Sequence, residues 1–212
     1  MKFKSLKDII LGESYKNLGE VYLATHNQFK INEYQKYGNG SFKILDSVPD
    51  IDEIDSKDII EIAKYKAFDM YRLMRDKVPK GASIAIEDTS LNIDGEDVGG
   101  NIRWLVNNLY KYVGKKALVT VCFAVCDGEY VKVFRSDLPG VMIPETGVGY
   151  GFDPYVEVDG SNGMSLGQVR GDKKLSVKFS IRKMVVENMI ADKYADMFNV
   201  SSIKEWKGKY QH

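Results

Sequence analysis

The chain has 212 residues, 44% of them hydrophobic, enough to bury one large domain or two closely joined lobes without staples. Its 30 basic and 30 acidic residues cancel, which argues against a nucleic-acid polymer held by bulk electrostatics. No apolar run approaches the roughly 20 residues of a membrane span, and the basic start Met1-Lys2-Phe3-Lys4 lacks the apolar stretch of a signal peptide.

Residues 1–18 read as an extension, with Phe3, Leu6, Ile9 and Ile10 at roughly helical spacing, and 19–212 as a single domain. A strand is expected over 20–25, followed by a helix from Asn27 to about Tyr37 and a second strand over 41–45. Ser56 is placed to cap a long helix whose apolar face is Ile59, Ala63, Ala67, Met70 and Met74 and which Pro79 ends. A strand over 82–87 carries Ile84 and Ile86 on one face. Ile102, Leu105, Val106 and Leu109 predict an amphipathic helix before Gly114. Strands over 117–126 and 129–135 are joined by Asp127-Gly128, a strong hairpin signal. Extended segments near 138–143 and 154–158 flank a glycine-rich stretch, and helices over about 180–191 and 202–206 close the chain. Helices interleave with strands while one hairpin is antiparallel. The expected class is therefore α/β, a mixed twisted sheet with flanking helices, in two lobes around a central nucleotide-binding cleft.

Cys122 and Cys126, four apart on one strand face, would sit roughly 13 Å from each other, too far for a disulfide. They read as core residues in a reducing, cytoplasmic compartment. Two histidines leave little room for Cys/His metal chemistry.

Four stretches carry candidate chemistry. In Thr25-His26-Asn27-Gln28-Phe29-Lys30 a strand turns into a helix, so free N–H groups, the helix dipole and the Lys30 charge can meet a phosphate chain. Taken alone, the same residues also describe an ordinary cap. In Ile86-Glu87-Asp88-Thr89-Ser90-Leu91 a strand delivers two adjacent acids, of which only one can face a cleft squarely. In Gly147-Val148-Gly149-Tyr150-Gly151-Phe152-Asp153-Pro154 alternating glycines let the backbone pass close to something flat, Tyr150 and Phe152 can stack on a base, and Asp153 can accept from a base edge. The fourth is Arg170-Gly171-Asp172-Lys173-Lys174, followed by Ser180-Ile181-Arg182 at a helix start.

In this order and spacing, over about 20–191, the four stretches resemble the inosine/xanthosine triphosphate pyrophosphatase family, which removes non-standard purine nucleotides. Thr25, Asn27 and Lys30 match its Thr-x-Asn-x-x-Lys turn, and Glu33 a glutamate of its first helix. Glu87, Asp88, Thr89 and Leu91 match Glu-Asp-Thr/Ser-x-Leu, and Gly99-Gly100-Asn101-Ile102-Arg103-Trp104 stands where many members have a Gly-Pro segment ending in Trp. Tyr150-Gly151-Phe152-Asp153-Pro154 matches Phe-Gly-Trp/Tyr-Asp-Pro. The resemblance implies that Thr25, Asn27, Lys30, Lys66 and Thr89 bind the phosphates. It implies that Mg²⁺ is held by Asp88 and by an acid of Asp50-Ile51-Asp52-Glu53, with Glu53 assigned. Asp88, Lys30 and Lys66 would be catalytic, and Tyr150, Phe152, Asp153, Lys174 and Arg182 would bind the base. A nucleoside triphosphate would be the substrate and a homodimer the assembly, with no nucleic acid and no membrane as partners.

One departure stands out. The family has Lys-x-x-x-Ser-His-Arg before its last long helix, and this chain has no Ser-His-Arg. Ser176-Val177-Lys178 is one register. Ser180-Ile181-Arg182 is the preferred one, because Val185, Val186 and Met189 then form a buried stripe. Either way an aliphatic residue replaces the histidine and the family's lysine would come from Lys173 or Lys174 with a shifted loop, so base preference is open to change. Nucleotide binding without turnover, and a plain interaction domain, are the rival readings from other classes.

Overall fold

A computed structural model of the protein describes residues 20–96 and 105–211. The expected extension over 1–18 and the Gly99–Trp104 match lie outside the described residues. Among the described residues seven strands form one mixed sheet: β1 (Val21–Leu23), β2 (Phe42–Ile44), β3 (Ser83–Ile93), β4 (Lys116–Cys126), β5 (Tyr130–Met142), β6 (Val156–Val158) and β7 (Asp196–Asn199). The order is β2-β1-β3-β4-β5-β6, with β7 also on β5. β1 runs parallel to β2 and β3, and the pairings from β3 through β6 are antiparallel. The helices are α1 (Gln28–Tyr37), α2 (Ile59–Met74), α3 (Leu166–Gly171), α4 (Leu175–Lys178) and α5 (Ile181–Ile190). Among the described residues no helix is long and apolar enough to cross a membrane.

The long central strands are buried on both faces, so they read as continuous apolar runs. On one face Ala85, Leu91, Val121, Phe123 and Phe134 pack with Tyr34 of α1 and Val185, Val186 and Met189 of α5. On the other, Ile84, Ile86, Cys122, Ala124 and Cys126 pack with Ile59, Ala63, Ala67, Met70 and Met74, the expected stripe of α2. Both cysteines are free and buried, and burial pushes their thiols up to about 12 and about 11.

Several boundaries differ from the expectation for local reasons. Asp58, not Ser56, caps α2, and the Ser56 hydroxyl instead bonds to Glu61 and the Asp58 N–H. α2 ends at Met74, and a 3₁₀ turn over Arg75–Lys77 leads to Pro79. β3 does not stop at Glu87, because β4 pairs with it from Ile84 to Ile93. The helix expected before Gly114 is a 3₁₀ segment over Val106–Tyr112, where Asn107 and Asn108 are poor α-helix formers. β5 runs through Pro139 without a break, the proline carbonyl accepting from Asp159 N just beyond β6. The helix expected over 202–206 is a 3₁₀ turn at Val200–Ser202, which Asn199 and Ser202 close with their own side chains, and β7 before it was not anticipated.

The glycine loop is seated on α3. A Cβ at Gly167 would lie 1.8 Å from the Val148 carbonyl oxygen and 3.0 Å from Gly149 Cα. The flat surface that this loop approaches thus includes a helix backbone. Gly167→Ala should cost about 1–3 kcal/mol through overpacking. Gly171→Ala, at the other end of the same helix with nothing within 4 Å, should be neutral or stabilising by about 0.4–1 kcal/mol. Thermal unfolding of the two variants checks this, and equal melting temperatures would contradict the close approach.

Candidate active site

β1 ends where Ala24 N donates to the Ala85 carbonyl, so β3 loses its parallel neighbour two residues before Glu87. Beyond that edge opens a cleft of about 1150 Å³, ample for a nucleotide-sized ligand. One wall holds Asn27, Phe29 and Thr89, and the other holds Gly149 to Asp153, Gly167 and Arg170.

Alternation along β3 sends its two acids to opposite faces of the sheet. Glu87 points to the α1/α5 side and is buried. Arg182 grips it with two bonds, Nε to Oε2 at 2.6 Å and Nη2 to Oε1 at 2.8 Å. The remaining guanidinium nitrogen, Nη1, donates to Glu33 at 2.8 Å, and the Ser180 hydroxyl donates to the same Glu33 carboxylate. Lys30 Nζ lies 3.0 Å from Glu87, and the Thr89 hydroxyl donates to it at 2.9 Å. Two cations thus meet two carboxylates, as a buried cluster requires. Burial alone would raise the Glu87 carboxyl. The Arg182 and Lys30 charges overcome it and hold the group well below the usual carboxylate range.

Asp88 points to the α2 side. Lys66 reaches from that helix and places Nζ 3.1 Å from Asp88 and 2.9 Å from Glu53. Burial pulls the Lys66 pKa down, but Asp88 and Glu53 outweigh it and the ammonium is favoured. This trio keeps one excess negative charge. Among the described residues no three His, Cys, Asp or Glu side chains cluster as a closed metal cage. Two carboxylate groups within reach of one nitrogen suit a hard ion that keeps water and phosphate oxygens as its other ligands, the habit of Mg²⁺.

The Thr25–Lys30 turn is both a cap and a cation-bearing loop. Asn27 accepts from the Phe29 and Lys30 N–H groups, and Thr25 Oγ1 accepts from Asn27 N. Among the described residues the Gln28 N–H has no protein partner and remains for an anion, whereas the Lys30 ammonium is already paired with Glu87.

The base-side candidates divide. Phe152 and the buried Asp153 line the cleft, and Tyr150 stands at its rim, 90% exposed. Burial raises the Asp153 carboxyl, with Arg170 pulling the other way. Lys174 is exposed, outside the cleft lining, and its N–H is spent on Asp172. Arg182 is committed to Glu33 and Glu87 and borders a separate cavity of about 160 Å³. The preferred register forms the helix start: Ser180 caps α5, and Arg182, Val185, Val186 and Met189 are buried. Ile181 is buried in the core and borders the smaller cavity.

Three residues carry more than their sequence signals suggested. Glu87 is a buried anchor, while its neighbour Asp88 faces Lys66 on the other side of the strand. Phe29 lies under two guanidinium groups, Arg170 at 5.1 Å and Arg182 at 5.5 Å. Arg170 donates to Asp153 across the cleft wall. The pairing of Glu87 with Arg182 links residues 95 apart in sequence, and no local pattern announces such a contact.

Glu87→Gln should destabilise the protein by about 3–5 kcal/mol at neutral pH, because Arg182 and Lys30 keep their charge without this partner. The folded pKa of Glu87 is depressed, so its contribution is present above the unfolded value, about 4.3, and is lost as pH falls toward the folded one. Urea unfolding should show a constant gap between the two proteins from pH 7 to about pH 5 that narrows below about pH 4. A gap that stays constant through acid would contradict the pairing.

The model of the Ham1 family matches residues 21–192. The chain is 26% identical over 169 residues to inosine triphosphate pyrophosphatase 2 of Trypanosoma cruzi, spanning 73% of this chain and 83% of that protein. Among solved structures it resembles a HAM1 protein from Coxiella burnetii, with a TM-score of 0.60 at 19% identity over 81% of this chain and 96% of that one. It also resembles a nucleoside-triphosphatase / dITP/XTP pyrophosphatase from Mycobacterium abscessus, with a TM-score of 0.52 at 17% identity over 79% of this chain and 97% of that one. Those two likenesses bear on the fold, the mixed α/β sheet with flanking helices. The family match spans the turn, the two acids, the glycine loop and the whole of α5. The chain belongs to the Ham1 family.

Proposed function

We propose that the protein is a nucleoside triphosphate pyrophosphatase that hydrolyses a non-standard purine nucleotide to its monophosphate and pyrophosphate. The observation that carries the reading is Lys66 gathering Glu53 and Asp88 on one side of β3, while Lys30 and the Asn27 turn lie on the other. A triphosphate needs this combination of cations, a helix start and a pair of carboxylates, since phosphoryl transfer is mostly charge neutralisation and positioning. The names of the Trypanosoma cruzi and Mycobacterium abscessus proteins, inosine triphosphate pyrophosphatase and dITP/XTP pyrophosphatase, agree with the substrate class.

In this reading Thr25, Asn27, Lys30 and Thr89 orient the phosphate chain, with the Gln28 N–H as a further donor. Lys66 neutralises phosphate charge from the α2 side. Asp88 holds the attacking water and takes its proton as the bond to the α-phosphorus forms. The pyrophosphate leaves with its charge shared between Lys30 on one side of β3 and Lys66 on the other. Glu53 and Asp88 would hold Mg²⁺, which when bound offsets phosphate charge and lowers the pKa of a coordinated water. Tyr150 and Phe152 cover the faces of the base and Asp153 meets its edge. The reading includes the homodimer that the resemblance implies.

Asp88→Asn keeps the shape of the side chain and removes its charge. Pyrophosphate release from inosine triphosphate with Mg²⁺ should fall by about a hundredfold or more, with the melting curve little changed. Chelation of divalent ions should abolish release by the wild-type protein, and Mg²⁺ should restore it. Near wild-type release by a folded Asp88→Asn protein would refute its role. Tight nucleotide binding with no release under any condition would favour a binding protein instead.

A further inference from the structure

The stretch that delivers Glu53 to the Asp88 side of β3 belongs to no helix or strand of the fold. It lies between β2 and α2, and Ile54 within it forms an isolated antiparallel bridge with Tyr210. The main-chain groups on and beside Glu53 find their partners in the residues after β7. The Glu53 carbonyl accepts from Gln211 N at 2.8 Å. The Ile54 carbonyl accepts from Gln211 Nε2 at 3.0 Å, and Asp55 N donates to the Lys209 carbonyl at 2.8 Å. Ile54 is buried, and main-chain groups at such a place need partners that no local helix or strand supplies here.

The same tail is moored to α2 beside Lys66. Tyr65, the residue before Lys66, donates its hydroxyl to the Lys204 carbonyl at 3.0 Å, and its ring meets Trp206 edge-on with centroids 5.4 Å apart. Trp206 Nε1 donates in turn to the Lys209 carbonyl at 2.9 Å, the oxygen that also accepts from Asp55 N. The tail therefore ties together the two segments that supply Glu53 and Lys66, whose side chains meet at 2.9 Å. It lies beyond the family match, which covers residues 21–192.

We infer that residues 203–211 are a positioning strap for Glu53. They hold its main chain where its carboxylate and that of Asp88 converge on Lys66, and so set the affinity of this acid pair for a divalent cation. The inference rests on the reading of Glu53 and Asp88 as the residues that would hold Mg²⁺. A carboxylate on unsupported coil has to be ordered when the ion binds, and that entropy is subtracted from the affinity. A segment whose hydrogen bonds are already made avoids the loss. The strap's hydrogen bond to Glu53 is to the main-chain carbonyl, so it positions the acid and leaves the carboxylate to its partners.

Titration of the full chain with Mn²⁺, without nucleotide, tests it and needs no turnover. Mn²⁺ shares the oxygen-ligand habit of Mg²⁺, and the free ion is read by electron paramagnetic resonance. Gln211→Pro removes both Gln211 donors at once, and Tyr210, already in an extended bridge, tolerates a following proline. Trp206→Ala removes the ring on Tyr65 and the bond to Lys209. Each should weaken Mn²⁺ binding by about tenfold or more. Gln211→Ala keeps the N–H on the Glu53 carbonyl and should stay within about threefold of the wild-type protein. Melting curves show which variants are folded, and should Gln211→Pro fail to fold, Trp206→Ala decides. A tail that only adds stability would lower the melting temperature and leave the ion untouched. Wild-type affinity in the folded Gln211→Pro and Trp206→Ala proteins would therefore overturn the inference. Glu53→Gln separates that outcome from failure of the site reading. If Glu53→Gln alone loses Mn²⁺, the metal assignment stands and the strap falls. Wild-type affinity in Glu53→Gln, or no Mn²⁺ bound by the wild-type protein, would sink the metal assignment and the strap with it.

Discussion

The buried ion cluster around Glu87 is the interaction on which the rest of the site depends. Glu87 has no exposed side-chain surface and Arg182 has 5%. Moving such charges out of water is costly, and a buried pair survives only where geometry and further hydrogen bonds offset that cost. Here the offset is built from several elements. β3 supplies Glu87 and Thr89, α1 supplies Lys30 and Glu33, and α5 supplies Arg182 and Ser180. The cluster therefore clamps two helices against the central strand. It fixes the start of α1, the region that carries the Thr25–Lys30 turn. Below it, Tyr34, Phe42 and Phe123 form an aromatic floor, with Tyr34 and Phe123 centroids 4.7 Å apart.

A strand alternates its side chains, and this simple rule separates structure from chemistry. Glu87 is directed into the clamp and Asp88, its neighbour, to the opposite face, where Lys66 and Glu53 meet it. The two acids look equivalent in sequence. Their surroundings differ in balance: the clamp is neutral, whereas the Lys66 trio has an unmatched carboxylate. An unmatched carboxylate is suited to a cation and a water, and a neutral buried cluster is suited to holding helices together.

Much of this was legible in the chain. The apolar stripe of α2, the Asp127-Gly128 hairpin and the buried face of α5 follow from periodicity, and the structure has all three. The gathering of Glu53, Lys66 and Asp88 followed from family resemblance, since 13 and 22 residues separate Lys66 from its partners. What was not legible involved long-range pairing. β3 continues past its expected end at Glu87 because pairing with β4 overrides the weak strand preference of Glu and Asp. Family resemblance puts Lys174 in the base pocket, but in the structure it is exposed beside the turn at Asp172 and outside the cleft lining. Arg170 looked like the start of a solvated charge run. Only the fold, by bringing Phe29 and Asp153 to it, shows a guanidinium held in the wall of the cleft.

The proposed reaction brings water to the α-phosphorus of a bound nucleoside triphosphate. Hydrolysis of inosine triphosphate in water labelled with heavy oxygen tests it most directly, because the label marks the phosphorus that was attacked. Attack at the α-phosphorus puts the label in the monophosphate and leaves the pyrophosphate unlabelled. Label in inorganic phosphate, with a nucleoside diphosphate as the other product, would place the attack at the far end of the chain and contradict it.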